Sequence, residues 1–298
     1  MAVPQYFDPN TLQKITRLEL RAQHVVEGFM SGLHRSPYFG NSIEFRQHRE
    51  YVPGDDLRHV DWKVWAKQDR YYVKQYEEDS NLRAALLVDV SNSMRYGTGA
   101  MNKREYAATI AVSLAYLLLS QQDSTGCMAF DESVREIVPQ RTQRNHLDAI
   151  IRTLFVNNPQ KKTDIDHILR NAVNAYSRRG MMILISDLLV DADNLIDGLQ
   201  MLRTRGHDVM VFHVMDDDEL DFPFSGPTRF EGLESLDHLT CNPRALRAGY
   251  LEALQEHLDK IRRGCAQRGI AYELFRTSQP LDSALVAFLN QRMRMRRV

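Results

Sequence analysis

The chain has 298 residues, 43% hydrophobic and 26% charged, the make-up of a globular protein with material for one large or two modest domains. A formal net charge of −1 excludes bulk attraction to nucleic acid or an anionic membrane. The longest apolar stretches, Ala107 to Leu119 and Met181 to Ile185, fall short of the ~20 residues of a membrane span.

Met1 to Asn10 has no charged-then-apolar leader. Cys127, Cys241 and Cys265 are too scattered for a disulfide framework or a Cys-x-x-Cys metal pair. The expected location is therefore cytoplasmic, without a membrane span.

From Asp8 to Leu33, the spacing of Leu12, Ile15, Leu18, Leu20, Val25, Val26 and Phe29 predicts one or two helical segments. His34 to Asp69 is irregular, punctuated by Pro37, Gly40, Pro53 and Gly54, yet its aromatics give it something to pack. Tyr71 to Glu78 alternates as a strand. Residues 1–80 are thus expected to form an N-terminal region of helix, ordered loop and strand, and residues 81–298 an α/β domain.

In that second region Ala84-Ala85-Leu86-Leu87-Val88 reads as a buried parallel strand ending at Asp89. Lys103 to Gln121 follows as a helix. Thr125 to Phe130 and Val134 to Val138 form a hairpin across Asp131-Glu132-Ser133. Helices are expected over Arg144 to Phe155 and Asp164 to Arg178, with Gly180 as a helix-ending residue. Met181 to Ser186 is a second buried strand, ending at Asp187. Asn194 to Arg203 is helical, and Asp208 to Val214 is a strand after a turn at Gly206. Arg244 to Arg268 is helical, Ile270 to Phe275 is the last strand, and Leu281 to Met293 is a closing helix. Strands alternating with helices predict an α/β fold: an open, mostly parallel sheet with helices on both faces.

Ligands of such sheets bind at the carboxyl ends of the strands. There Asp89, Ser91 and Ser93 present a carboxylate and two hydroxyls from one tight loop, an oxygen set suited to Mg2+. Thr163, just before a helix, and Asp187, just after its strand, would converge on the same edge. Each also has a plainer role: Thr163 can cap a helix, Asp187 can cap a turn, and the serines can be turn residues.

These residues resemble the metal-ion-dependent adhesion site of von Willebrand factor type A domains. The sequence is more similar still to one bacterial branch, the DUF58 proteins. That resemblance runs through Gly40 to Phe45, Arg49 to Arg58, Asp61 to Ala66, Asp69 to Glu78, Ser186 to Leu189 and His213 to Asp216. It implies a von Willebrand factor A-like fold with a family-specific N-terminal extension. It also implies Asp89, Ser91, Ser93, Thr163 and Asp187 as a site for Mg2+, Mn2+ or Ca2+, with a partner's carboxylate completing the coordination. Thr163 follows two lysines where many type A domains have a glycine. The resemblance further implies a non-enzymatic adaptor that works with a MoxR-type AAA+ ATPase on a client protein.

A second surface is suggested by Arg49, Tyr51, Asp55, Asp56, Arg58, Trp62 and Trp65, where charges alternate beside aromatics. The set reads as an internal salt-bridge and stacking network or as a partner-docking face. His34, His48, His59 and His146 read as surface or loop residues, and Asp216-Asp217-Asp218-Glu219 as a solvated acidic loop. The rival functions are a metal-dependent hydrolase built on Asp89 and Asp187, for which no base is assignable, and a scaffold with a vestigial cation site.

Overall fold

In the computed structural model the described residues are 82–131, 133–155, 165–233 and 238–282, two earlier strands, and helical positions 18, 20–23, 25, 26, 286 and 288. The earlier strands, β1 (Phe45–Glu50) and β2 (Tyr72–Tyr76), pair antiparallel with a bulge between Phe45 and Gln47. β2 lies within the expected strand; β1 falls in the stretch read as irregular, because Phe45-Arg46-Gln47-His48-Arg49-Glu50 has no apolar alternation to announce it. The chain divides into Ser31–Asn81 and a larger unit of Met1–Met30 with Leu82–Val298. Leu18, Ala22 and Val26, four residues apart on one helical face, are buried, whereas Leu20 is 59% exposed and does not belong to that face.

The larger unit is built on a six-stranded sheet of order β10-β7-β6-β3-β4-β5. Its members are β3 (Arg83–Asp89), β4 (Ser124–Phe130), β5 (Val134–Arg141), β6 (Met181–Ser186), β7 (Asp208–Met215) and β10 (Ala271–Arg276). All neighbours run parallel except the edge pair β4–β5, the expected hairpin. β3 is buried from Ala84 to Asp89 because it has parallel neighbours on both sides and helices over both faces.

α1 (Lys103–Ser120) lies against β3, β4, β6 and β7 and is buried around most of its circumference, so it reads as a core helix. α2 (His146–Leu154) packs on β4 and β5. On one face of the sheet, Ala85, Leu87, Met182 and Leu184 meet α3 (Ile165–Ala175), α4 (Ala192–Thr204) and α6 (Pro243–Gln267) through Ile168, Leu169, Leu199 and Ile261. The short α5 (Asp217–Asp221) and the ribbon β8 (Thr228–Glu231) with β9 (His238–Cys241) complete the described elements. Neither α5 nor this ribbon was expected.

Gly206 turns the chain with φ +87°, as expected. Gly180 has a different role from the one expected. A Cβ there would stand 2.4 Å from the Arg83 carbonyl oxygen, so glycine serves close backbone packing and not a left-handed helix end. Among the described residues no helix is long and apolar enough to cross a membrane.

The connectivity locates the site. From β3 the chain adds β4 and β5 on one side, then crosses back to add β6, β7 and β10 on the other. The strand order reverses between β3 and β6, and their carboxyl ends border the crevice where ligands of open α/β sheets bind.

A candidate cation site at the carboxyl edge

Asp89 closes β3 at this switch point and is 4% exposed. Its Oδ1 accepts from the Ser91 backbone N–H at 2.9 Å, and its Oδ2 accepts from the Ser186 hydroxyl at 2.5 Å. The first bond folds the chain back at once, which brings the hydroxyls of Ser91 and Ser93 to 3.0 Å from each other. Both serines are buried, Ser93 at the start of a single 3-10 turn, Ser93–Arg95. Burial and then the Asp187 charge push the Asp89 carboxyl up to about 7, against the lowering effect of the Ser186 and Ser91 hydrogen bonds.

Asp187 follows β6, and the turn after it is tight: Leu188 has φ +49°, a left-handed conformation that leucine seldom adopts. Side chains from three elements hold that turn. The Ser186 hydroxyl accepts from the Leu188 N–H at 3.0 Å, His213 Nε2 donates to the Asp187 carbonyl at 2.7 Å, and His257 Nε2 donates to the Leu188 carbonyl at 3.1 Å. Since a carbonyl only accepts, His213 carries its proton on Nε2, and its Nδ1 accepts from the Tyr272 hydroxyl at 2.9 Å. Burial drives His213 down to about 4, so the ring is neutral near pH 7, as this bonding requires.

The cation of the site is a side chain. Lys103 opens α1 and is fully buried. Its Nζ donates to Asp187 Oδ2 at 2.8 Å and to Glu219 Oε1 at 2.6 Å. Burial alone would lower the Lys103 ammonium, but Asp187 and then Glu219 outweigh it and hold it above its ordinary value. A positive charge in a first helical turn opposes the helix dipole, so these carboxylates are what make the position tolerable.

Glu219 is delivered by α5, whose capping box Asp216 opens: Glu219 Oε2 accepts from the Asp216 N–H at 2.9 Å. Asp216 also accepts from the Thr98 hydroxyl at 3.0 Å and from the Thr277 hydroxyl at 2.7 Å. The run Asp216 to Glu219 is therefore not the solvated loop expected from its charge; Asp216 is buried, and Glu219 turns inward to an ammonium.

Of the expected ligands, Asp89, Ser91, Ser93 and Asp187 all lie buried on this edge, while Thr163 falls outside the described residues. Of the second surface, only the backbone of Arg49, in β1, is described; its side chain and Tyr51, Asp55, Asp56, Arg58, Trp62 and Trp65 lie outside. His146, expected at the surface or in a loop, opens α2 and is buried, with Nε2 2.7 Å from the Pro139 carbonyl. Among the described residues no three His, Cys, Asp or Glu side chains come together as a metal-binding group. A cation here would therefore draw on hydroxyl oxygens, and Asp187 Oδ2 is already held by Lys103.

Sequence reasoning missed Lys103, Ser186, His213 and Glu219. Lys103 did leave a signal: a lysine in the first turn of an apolar helix is out of place unless an acid waits for it.

Known proteins resemble this one in two ways. Uncharacterized proteins of Mycobacterium bovis and Mycobacterium tuberculosis are 29% identical to it over 293 residues, which covers 96% of this chain and 91% of theirs. Among solved structures, a conserved hypothetical protein, BatB, from Bacteroides thetaiotaomicron is similar over 72% of this chain and 99% of its own, at 14% identity and a TM-score of 0.43. An aerotolerance-related membrane protein from Bacteroides fragilis is similar over 70% and 97%, at 13% identity and a TM-score of 0.46. The VWA domain of SpRpn10 is similar over 68% and 93%, at 11% identity and a TM-score of 0.41. Residues 47–260 match the family described as "Protein of unknown function DUF58", and the chain belongs to that family.

Proposed function

We propose that this protein is a non-enzymatic protein-interaction module that recognises an acidic side chain of a partner at the carboxyl edge of β3 and β6. The observation that carries this reading is the oxygen set of Asp89, Ser91 and Ser93, gathered in one buried loop at the switch point of the sheet. Such a set fits a hard cation: two neutral hydroxyls and one carboxylate leave a bound Mg2+ with unspent positive charge. Asp89, Ser91 and Ser93 would hold the ion, with Thr163 and a water-linked Asp187 in support. The ion would supply an electrophilic point for a partner's carboxylate. Leu189, 54% exposed two residues beyond Asp187, offers an apolar contact at the rim.

A hydrolase would need a base beside the reacting atoms. His213 has both ring nitrogens engaged, one with Tyr272 and one with the Asp187 carbonyl, which argues against it in that role. The family resemblance points to a MoxR-type AAA+ ATPase as the partner, with this chain linking the motor to a client. Lys103 on Asp187 favours, as a second reading, a scaffold in which Asp187 is already paired with the protein's own ammonium.

Affinity purification of the tagged protein from its own host, in Mg2+ or in EDTA, separates these readings. Recovery of an AAA+ ATPase only in Mg2+ is the expected result. Recovery in both buffers makes the scaffold correct, and absence of the ATPase from both removes it as a partner.

A further inference from the structure

We propose that Lys103 is a built-in competitor for the divalent cation: its ammonium holds Asp187 in the resting protein, lowers the cation affinity of the edge, and swings toward Glu219 when the ion engages. This inference rests on the cation-assisted reading given above and concerns the regulation of that site.

The bonding makes the competition direct. Lys103 Nζ is 2.8 Å from Asp187 Oδ2 and 2.6 Å from Glu219 Oε1, so one ammonium is shared between a candidate ligand and a carboxylate of another element. A divalent ion drawing on Asp187 would stand close to that ammonium, and two cations a few ångströms apart in a buried site repel strongly. Glu219 relieves the conflict, because the ammonium can leave Asp187 without losing its last anionic partner.

Charge counting gives the same answer. Asp89, Asp187 and Glu219 bring three carboxylates to the edge, and Lys103 brings one ammonium. With all three ionised the remainder is two negative charges, the charge of one divalent ion. Removing Lys103 raises the remainder to three negative charges, so an edge without it would bind the ion more tightly. Glu219 belongs to α5, anchored through Asp216 to Thr98 and Thr277, so a shift of Lys103 is felt in the loop after β7.

The test is Mn2+ binding to the full chain, followed by the paramagnetic signal of the free ion, for the wild type, Lys103→Met and the double variant Lys103→Met/Asp89→Ala. The proposal expects Lys103→Met to bind at least about tenfold more tightly than the wild type, and the double variant to lose that gain. Equal affinity of wild type and Lys103→Met overturns the competitor and leaves the cation site standing. No binding by either chain overturns the cation site, and the competitor falls with it.

Lys103→Met leaves two carboxylates buried without their cation, so it can fail to fold. In that case the wild type decides, through acetylation of Lys103 by an amine reagent, read by peptide mass spectrometry with and without saturating Mn2+. Faster labelling of Lys103 in Mn2+ supports the proposal, and unchanged labelling overturns it.

Discussion

The two ends of the main sheet are built from similar residues and solve different problems. At the amino end, the polar contacts join backbone to backbone or cap it. Asp123 Oδ1 accepts from the Leu82 N–H at 2.8 Å, Ser124 N–H bonds the Leu82 carbonyl, and Asp208 N–H bonds the Gly180 carbonyl. At the carboxyl end, Lys103 is shared between Asp187 and Glu219 beside Asp89, and desolvation weighs on Asp89, Lys103 and Glu219. The first arrangement stabilises the fold. The second costs stability, and such a cost concentrates where a protein recognises something.

The largest way to sharpen that contrast is to remove the Asp89 charge. Its pKa is raised from 3.8 to about 7 in the folded protein, so its favourable contribution is complete below about pH 4 and is lost as pH rises through 7. In EDTA, Asp89→Asn should therefore be no more stable than the wild type near pH 4. It should be more stable near pH 8, by an amount on the order of 3 kcal/mol. Urea unfolding at the two pH values measures this, and parallel behaviour of the two chains would contradict it.

The amino end should respond in the opposite sense. Gly180→Val forces a side chain into the Arg83 carbonyl and should cost about 2–3 kcal/mol at every pH, read from the same urea midpoints. Asp216→Ala removes the cap of α5 and the acceptor of Thr98 and Thr277, and should cost about 1–2 kcal/mol while loosening Glu219 from Lys103. Hydrogen exchange at α5 should rise in that variant and stay unchanged at α2. The smallest effect belongs to Arg203→Ala. The Arg203–Asp208 pair is close, at 2.6 Å, but a third exposed on both sides, so its loss should shift thermal stability by less than about 1 kcal/mol.

Much of this organisation was legible in the sequence. β3 and β6 announced themselves because strands buried on both faces are written as unbroken apolar runs, and Asp89 and Asp187 are the polar breaks that end them. The Asp-x-Ser-x-Ser spacing carried the loop. Partners distant in sequence were not legible. Lys103 is out of place in the first turn of its helix, but the carboxylates that explain it lie 84 and 116 residues away. Gly180 looked like a helix end because the Arg83 carbonyl that excludes a side chain comes from another strand. The acidic run Asp216 to Glu219 looked solvated although its spacing is that of a capping box; what the sequence does not show is that Glu219 meets the ammonium of Lys103, 116 residues earlier. Leu20 fitted a helical spacing and is exposed, since spacing alone does not say which side of a helix meets the core.

The most direct measurement is the affinity of the purified protein for the proposed partner, a MoxR-type AAA+ ATPase of its own host, in Mg2+, for the wild type and Asp89→Ala. Circular dichroism and thermal unfolding would first establish that both chains are folded. A cation-assisted recognition edge predicts loss of binding in Asp89→Ala, by about a hundredfold, the equivalent of ~3 kcal/mol, and a similar loss for the wild type in EDTA. Equal affinity of the two folded chains would contradict the account and move recognition away from the carboxyl edge.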